Sequence, residues 1–210
     1  MKISYAITVC NEFVEIQRLV NFLREVKRPQ DEIVILFDQK NGTEEVSNWL
    51  TKQNKYPNVQ FWRGLDFDGH FDKWKNKLTD YCNGDYIFQL DADEIPHINL
   101  INILPELIRN NPKNEVFLIP RVNTVTGLTE EHTQKWGWRV DRRGWVNFPD
   151  YQTRLWKKEG RIRWYGKVHE RLVNFNTYTS LPEDEIYSLY HHKDIVRQEK
   201  QNNLYDELQR

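Results

Sequence analysis

Apolar runs that end on polar or acidic residues alternate, over the first ninety-odd positions, with segments whose apolar residues recur at helical spacing. Ile3–Val9 leads into Cys10, Asn11 and Glu12; Glu32–Phe37 ends in Asp38; Tyr86–Leu90 ends in Asp91, Ala92, Asp93 and Glu94. A shorter run, Val59–Trp62, lies between the second and the last of these. Short apolar runs bounded by turn residues read as buried strands. Ile16, Leu19, Val20, Leu23 and Val26 mark one helical face, with Asn11 as its expected cap and Lys27, Arg28 and Pro29 as its end. Thr43, Glu44 and Glu45 open a second helix toward Gln53, and Phe71, Trp74, Leu78 and Tyr81 mark a third over 70–81. This alternation predicts an α/β fold with a mainly parallel sheet.

In open α/β sheets, ligands bind beyond the carboxyl ends of the strands. Asn11 and Glu12, Asp38, and the Asp91–Asp93 pair are therefore expected at one sheet edge, where they form a constellation. Asp91 and Asp93 are hard oxygen donors, suited to Mg²⁺ or Mn²⁺ carrying a phosphorylated substrate. The competing role for them is to cap a helix beginning near Pro96. Convergence of three polar strand ends favours the ligand site.

The second half changes character. A helix over 98–109 and a strand over 116–120 precede a region, Lys135–Arg171, rich in Lys and Arg interleaved with Trp. The alternation of Thr153 and Leu155 against Arg154 and Trp156 fits antiparallel strands, and Arg163–Val168 also reads as a strand. A basic face opposite an acidic site suits an anionic substrate. The same mixture occurs in RNA-binding proteins, but a formal net charge of −1 supplies no field that gathers nucleic acid. From Asp194 a polar, amphipathic helix is expected. The 210 residues are expected to form one domain, with 1–95 and 96–210 as halves of different character. Two cysteines do not make a disulfide framework, and no apolar run approaches the ~20 residues of a membrane span. A soluble, cytoplasmic protein is the expectation.

The motifs, in their order, resemble the family-2 glycosyltransferases. Thr8-Val9-Cys10-Asn11-Glu12 is similar to that family's first-strand motif, and Asp38 with Asn41-Gly42-Thr43 to its nucleoside-holding loop. Trp74-Lys75-Asn76-Lys77-Leu78 resembles the basic helix before the metal-binding strand. The run Gly84–Ile87 through Leu90-Asp91-Ala92-Asp93-Glu94 is the family's most diagnostic one, with its DXD motif intact. Gly144-Trp145, Pro149–Trp156, Val168-His169-Glu170, His191 and the 200–205 stretch are similar to a subgroup containing lipopolysaccharide-core β-glucosyltransferases. The chain departs from the pattern in lacking a Pro near the first strand end, in Gln39-Lys40 after Asp38, and in the absence of the usual Glu-Asp catalytic pair. Gln152–Trp156 differs in spacing from the signature of processive synthases.

The resemblance implies a GT-A fold, a Rossmann-like sheet flanked by helices with a smaller antiparallel acceptor-side region. It also implies inverting transfer of a hexose, glucose in that subgroup, from a UDP-linked nucleotide-sugar donor to a glycan or glycolipid acceptor. Thr8, Asn11, Glu12, Asp38, Lys75, Asp91, Ala92 and Arg154 are the expected donor contacts. Asp91, Asp93 and His191 are the expected ligands of Mn²⁺ or Mg²⁺, with His192 as the neighbouring alternative to His191. The leaving diphosphate gains charge, which a divalent ion would neutralise and which Lys75 and Arg154 would help to balance. The acceptor hydroxyl needs a carboxylate to take its proton; Glu170 and Asp150 are the contenders, with Glu94 next. Two other classes compete: a sugar nucleotidyltransferase, disfavoured because Cys10–Phe13 is not a glycine-rich phosphate loop, and a glycan-binding module without catalysis.

Overall fold

The computed structural model describes residues 1–209, apart from the side chains of residues 201 and 204–209. A seven-stranded sheet runs in the order β11-β6-β8-β4-β1-β2-β3. Its first-half strands are β1 (Ile3–Val9), β2 (Glu32–Asp38), β3 (Val59–Gly64) and β4 (Tyr86–Asp91). They pair in parallel in the order 4-1-2-3. The second half completes the same sheet with β6 (Val116–Ile119), β8 (Gln152–Lys157) and β11 (Tyr178–Ser180). Of these β8 alone is reversed, lying antiparallel between β4 and β6.

Both faces of the sheet are covered, which is why its central strands are buried along nearly their whole length. Ile3, Tyr5, Ile7, Ile33, Ile35, Phe37, Phe88 and Leu155 point to one core. There they meet α1 (Phe13–Val26), α2 (Glu44–Thr51) and α4 (Ile98–Asn110). Ala6, Val34, Leu36, Ile87 and Trp156 point to the other, under α3 (Phe71–Tyr81) and the hairpin of β9 (Arg163–Tyr165) and β10 (Arg171–Val173). A second, three-stranded sheet orders as β5 (Glu94–Pro96), β12 (Leu189–Asp194), β7 (Arg121–Thr126). A short α5 (Glu130–Trp136) follows β7, and α6 (Ile195–Gln209) closes the chain.

Local details differ from the sequence reading in physically simple ways. Asn11 does not cap α1: the N-cap is Glu12, whose carboxylate turns back to accept from the Cys10 and Asn11 amides at 2.8 and 3.1 Å. The Asp91–Asp93 carboxylates do not cap α4 either, because His97 does so through Nδ1, 3.1 Å from the Asn99 amide. The strand expected over 163–168 stops at Tyr165, where Gly166 at φ +113° turns the chain and leaves Val168–Glu170 in the loop before β10. The tail is helical, but its apolar positions do not gather on one side. Among the described residues no helix is long and apolar enough to cross a membrane.

Candidate active site

The parallel order places a crevice where connections leave β1 and β4 in opposite directions, the usual ligand position in such sheets. Thr8 stands opposite Asp91 in the β1–β4 register. A cavity of about 1230 Å³ opens there. Thr8, Asn11, Glu12 and Asp38 line its wall from β1 and β2, and Lys75, Asp91, Ala92 and Asp93 from α3 and β4. Asp150, Arg154, Glu170 and His191 reach it from the second half. Glu94 and His192 do not line it. Glu94 is fully buried beneath the cavity, and His192 faces outward, bonded to Thr124 and Thr126 at 2.9 and 3.3 Å. Strand alternation separates the two histidines.

A buried chain of opposite charges forms the floor. Lys75, 6% exposed, lies 2.6 Å from Glu170 and 3.6 Å from Asp91. Arg154 pairs with Asp91 and, at 2.6 Å, with Glu94. Glu94 also takes Arg121 at 2.9 Å, and Arg121 reaches Asp150 at 2.8 Å. The basic residues are thus interleaved with the acidic ones, not ranged opposite them, and Lys75 is no surface residue. Burial opposes the ionisation of Asp91, but Arg154, then Lys75 and Arg121, outweigh it and hold its carboxyl far below the usual range. Burial likewise works against the charge of Arg154, and Asp91 and Glu94 more than restore it.

Asp93 sits apart from that chain. Its Oδ2 faces His191 Nε2 and an Arg197 nitrogen, each at 3.5 Å. Burial raises its pKa, but the His191 hydrogen bond and charge and then Lys193 win, leaving it at about 2. Arg197 also holds Glu15 at 2.8 Å and Glu12 at 3.5 Å, so the first turn of α6 is fastened over the first turn of α1. At the end of β2, Asp38 accepts from the Lys40 and Asn41 amides at 3.1 and 3.2 Å and from Asn41 Nδ2 at 2.8 Å. The loop after β2 is therefore shaped by the residue proposed to hold the nucleoside. Burial, then Asp38 and Glu12, push the Cys10 thiol up to about 12.

Residues 4–178 match the family model of glycosyl transferase family 2. The chain belongs to glycosyl transferase family 2. No curated protein sequence matches it. Among solved structures, residues 1–349 of TarS from S. aureus superpose with TM-score 0.66 and 17% identity, covering 91% of this chain and 60% of that one. The same fragment in complex with UDP gives 0.66, 16%, 91% and 60%, and in complex with UDP-GlcNAc 0.66, 18%, 92% and 59%. The family-2 chain described here therefore spans about 60% of the length of that fragment and 37% of the longer TarS chain. At such identities the likeness establishes the GT-A fold, which the sheet order already indicates.

The family implies a divalent metal ion at this site. Among the described residues no three His, Cys, Asp or Glu side chains converge on one point. Asp93 and His191 make a two-donor pair, and Asp91 is engaged by Arg154 and Lys75. A carboxylate and one imidazole, completed by diphosphate oxygens and water, suit a Mg²⁺ or Mn²⁺ ion that arrives with its substrate. The residues fit that ion through Asp93 and His191 more than through Asp91.

Arg121, Asn123, Lys193 and Arg197 also line the cavity, and the sequence reading did not single them out. Arg121 and Asn123 lie on β7, a strand whose weak alternation gave no signal. Lys193 was legible in principle, two residues after His191 on the same face of β12. In the 200–205 stretch the side chains of Gln201, Leu204 and Tyr205 lie outside the described residues.

Proposed function

We propose that this chain transfers a hexose from a UDP-linked nucleotide sugar to a glycan or glycolipid acceptor, with inversion and with a divalent ion. The observation that carries the reading is the meeting, in one cavity at the β1/β4 crevice, of the Asp91–Asp93 strand end with Asp38, Lys75, Arg154 and His191. TarS, of similar fold, forms complexes with UDP and with UDP-GlcNAc, which supports a uridine nucleotide here. Glucose as the sugar, and the lipopolysaccharide-core subgroup, rest on the motif resemblance in the second half.

In this reading Asp38 and its loop hold the nucleoside beside Thr8, Asn11 and Glu12. Asp93 and His191 hold the divalent ion, which would serve as Lewis acid toward the leaving diphosphate. Lys75 and Arg154 add positive charge where the diphosphate gains negative charge; among the described residues the buried Arg154 Nε has no hydrogen-bond partner. The acceptor oxygen attacks C1 as the C1–O bond to the diphosphate breaks, and Glu170 takes the hydroxyl proton. Asp150 is the weaker base: burial raises its pKa, but Arg121 and hydrogen bonds from Asn123 and Arg121 bring it below the ordinary carboxylate value.

Thermal unfolding with UDP, UDP-glucose and UDP-GlcNAc, each with Mn²⁺ or with EDTA, tests the reading. A ligand at a hundred times its Kd adds about 2.7 kcal/mol of apparent stability. Stabilisation by a UDP-sugar that EDTA removes is expected. No response to any nucleotide sugar, with tight nucleic-acid binding at physiological salt, would overturn it.

A further inference from the structure

Asn123 and His191 are register partners on the parallel strands β7 and β12. The Asn123 Nδ2 atom lies 2.6 Å from Asp150 Oδ2, the oxygen that Arg121 pairs with at 2.8 Å. A carboxylate so paired only accepts hydrogen bonds, so the atom facing it is the amide NH₂ and not the carbonyl. The amide orientation therefore follows from chemistry and not from a choice of atom names. The carbonyl Oδ1 then faces His191 Nδ1 at 2.7 Å. That oxygen only accepts, so Nδ1 carries a hydrogen, and the lone pair of the neutral ring falls on Nε2. Nε2 is the nitrogen that faces Asp93, 3.5 Å from Oδ2. In the neutral ring a bare Nε2 and a carboxylate oxygen are two acceptors confronting each other across a gap; a cation between them resolves the arrangement, as a proton on Nε2 does in the charged ring.

We propose that Asn123 is a positioning residue. Anchored on the Asp150–Arg121 ion pair, its amide selects the Nδ1–H tautomer of His191 and presents Nε2, with Asp93, to a divalent cation. The inference rests on the metal reading given under the proposed function and deepens it. It also gives Asp150 a task other than proton abstraction: it holds the amide that holds the ring. Metal-binding histidines are oriented in this way by a hydrogen bond from the distal N–H, and loss of the partner costs roughly 10- to 100-fold in metal affinity. His192, one residue on, spends its ring nitrogens on Thr124 and Thr126 and has no share in the arrangement.

The test has two readouts that do not depend on turnover. Long-range ¹⁵N–¹H correlation on the metal-free wild-type protein near pH 8, with the His191 signals assigned by their loss in His191→Gln, should show the Nδ1–H tautomer. An Nε2–H tautomer overturns the proposal without any variant having to fold. Mn²⁺ titration followed by electron paramagnetic resonance, with UDP present, should show Asn123→Ala weakened roughly 10- to 100-fold, while UDP affinity in EDTA stays within about twofold. Unchanged Mn²⁺ affinity in a folded Asn123→Ala overturns the role of Asn123 and leaves the metal reading standing. A wild-type protein that binds UDP but no Mn²⁺ removes the metal reading, and this inference with it.

Discussion

Lys75 Nζ lies 2.6 Å from Glu170 Oε1 and 3.6 Å from Asp91 Oδ1, so one buried ammonium joins the end of β4 to the loop before β10. A lysine is a point charge on a flexible stem and can move toward an arriving diphosphate. Glu170 would then be released from its partner as the donor binds. Asp150 has no such release, since Arg121, Asn123 and Gln152 all donate to it at 2.6–2.9 Å.

The first prediction follows from that difference. Glu170→Gln should lower kcat by about 10²- to 10⁴-fold, the range of a general base, with UDP-sugar affinity nearly unchanged. Asp150→Asn should instead weaken metal-dependent donor binding. If Asp150→Asn loses turnover with donor and metal binding intact while Glu170→Gln stays active, the two roles are reversed.

The residues that sequence made legible are those whose signal is local. Tyr86–Leu90 is apolar because both faces of β4 are covered, and its acidic end stands out for that reason. Its neighbours across the cavity were less accessible. Glu94 is one residue beyond the DXD motif, yet nothing nearby in sequence says that Arg121 and Arg154 will bury it completely. Asn123 acquires meaning only from Asp150 and His191, 27 and 68 positions away. His191 and His192 could not be separated until β12 was placed as a strand with one face on the cavity. Asn11 looked like a cap because Asn favours that position; Glu12 holds the N-cap position instead, and its carboxylate turns back to the Cys10 and Asn11 amides that precede the helix.

A second prediction concerns Arg154, which is 3% exposed between Asp91 and Glu94. Arg154→Met keeps much of the volume but leaves the fully buried Glu94 and the part-buried Asp91 with one cation fewer. Removing one partner of a buried ion pair costs about 3–5 kcal/mol, so urea unfolding should show a loss of that order. A change under about 1 kcal/mol would mean that the group is hydrated and not truly part of the interior.

A third prediction separates acid sensitivity of the fold from that of the site. Glu32, buried at the start of β2, accepts from Lys2 Nζ and Ser4 Oγ at 2.6 Å each. Burial raises its pKa, but Lys2, Ser4 and the Asn83 amide prevail and lower it in the folded protein. A folded pKa below the unfolded one contributes stability above the unfolded value, near 4.5, and that contribution is lost as pH falls through the folded value. Wild-type Tm should therefore drop on acidification below about pH 4.5. Glu32→Gln should be less stable than wild type at pH 7, and the difference should narrow toward pH 3. A constant difference across that range would show that the carboxylate charge is not what Lys2 and Ser4 stabilise.

The last prediction concerns Gly64, which ends β3 opposite Asp38 in the β2–β3 register and accepts from the Gln39 amide at 2.9 Å. A Cβ at this position would meet Trp74 Cη2 at 2.2 Å and Cζ3 at 2.7 Å, far inside contact distance. Trp74 cannot easily retreat, being 6% exposed and packed edge-on against Phe67 at 5.4 Å. Its other side lines the cavity, as do Phe67 and Asp38. Gly64→Ala should accordingly cost about 1–3 kcal/mol, the usual range for overpacking. It should also weaken UDP binding, because the displaced ring and the Asp38 loop both line the cavity proposed to take the donor. Trp74→Phe makes room by removing the part of the ring that clashes, at its own cost as a large-to-small change. In the double variant the two costs should fall short of additive by about 0.5–3 kcal/mol, the size of coupling between residues in contact. Strict additivity would show that β3 yields and Trp74 does not, and UDP affinity should then be lost through the Asp38 loop alone.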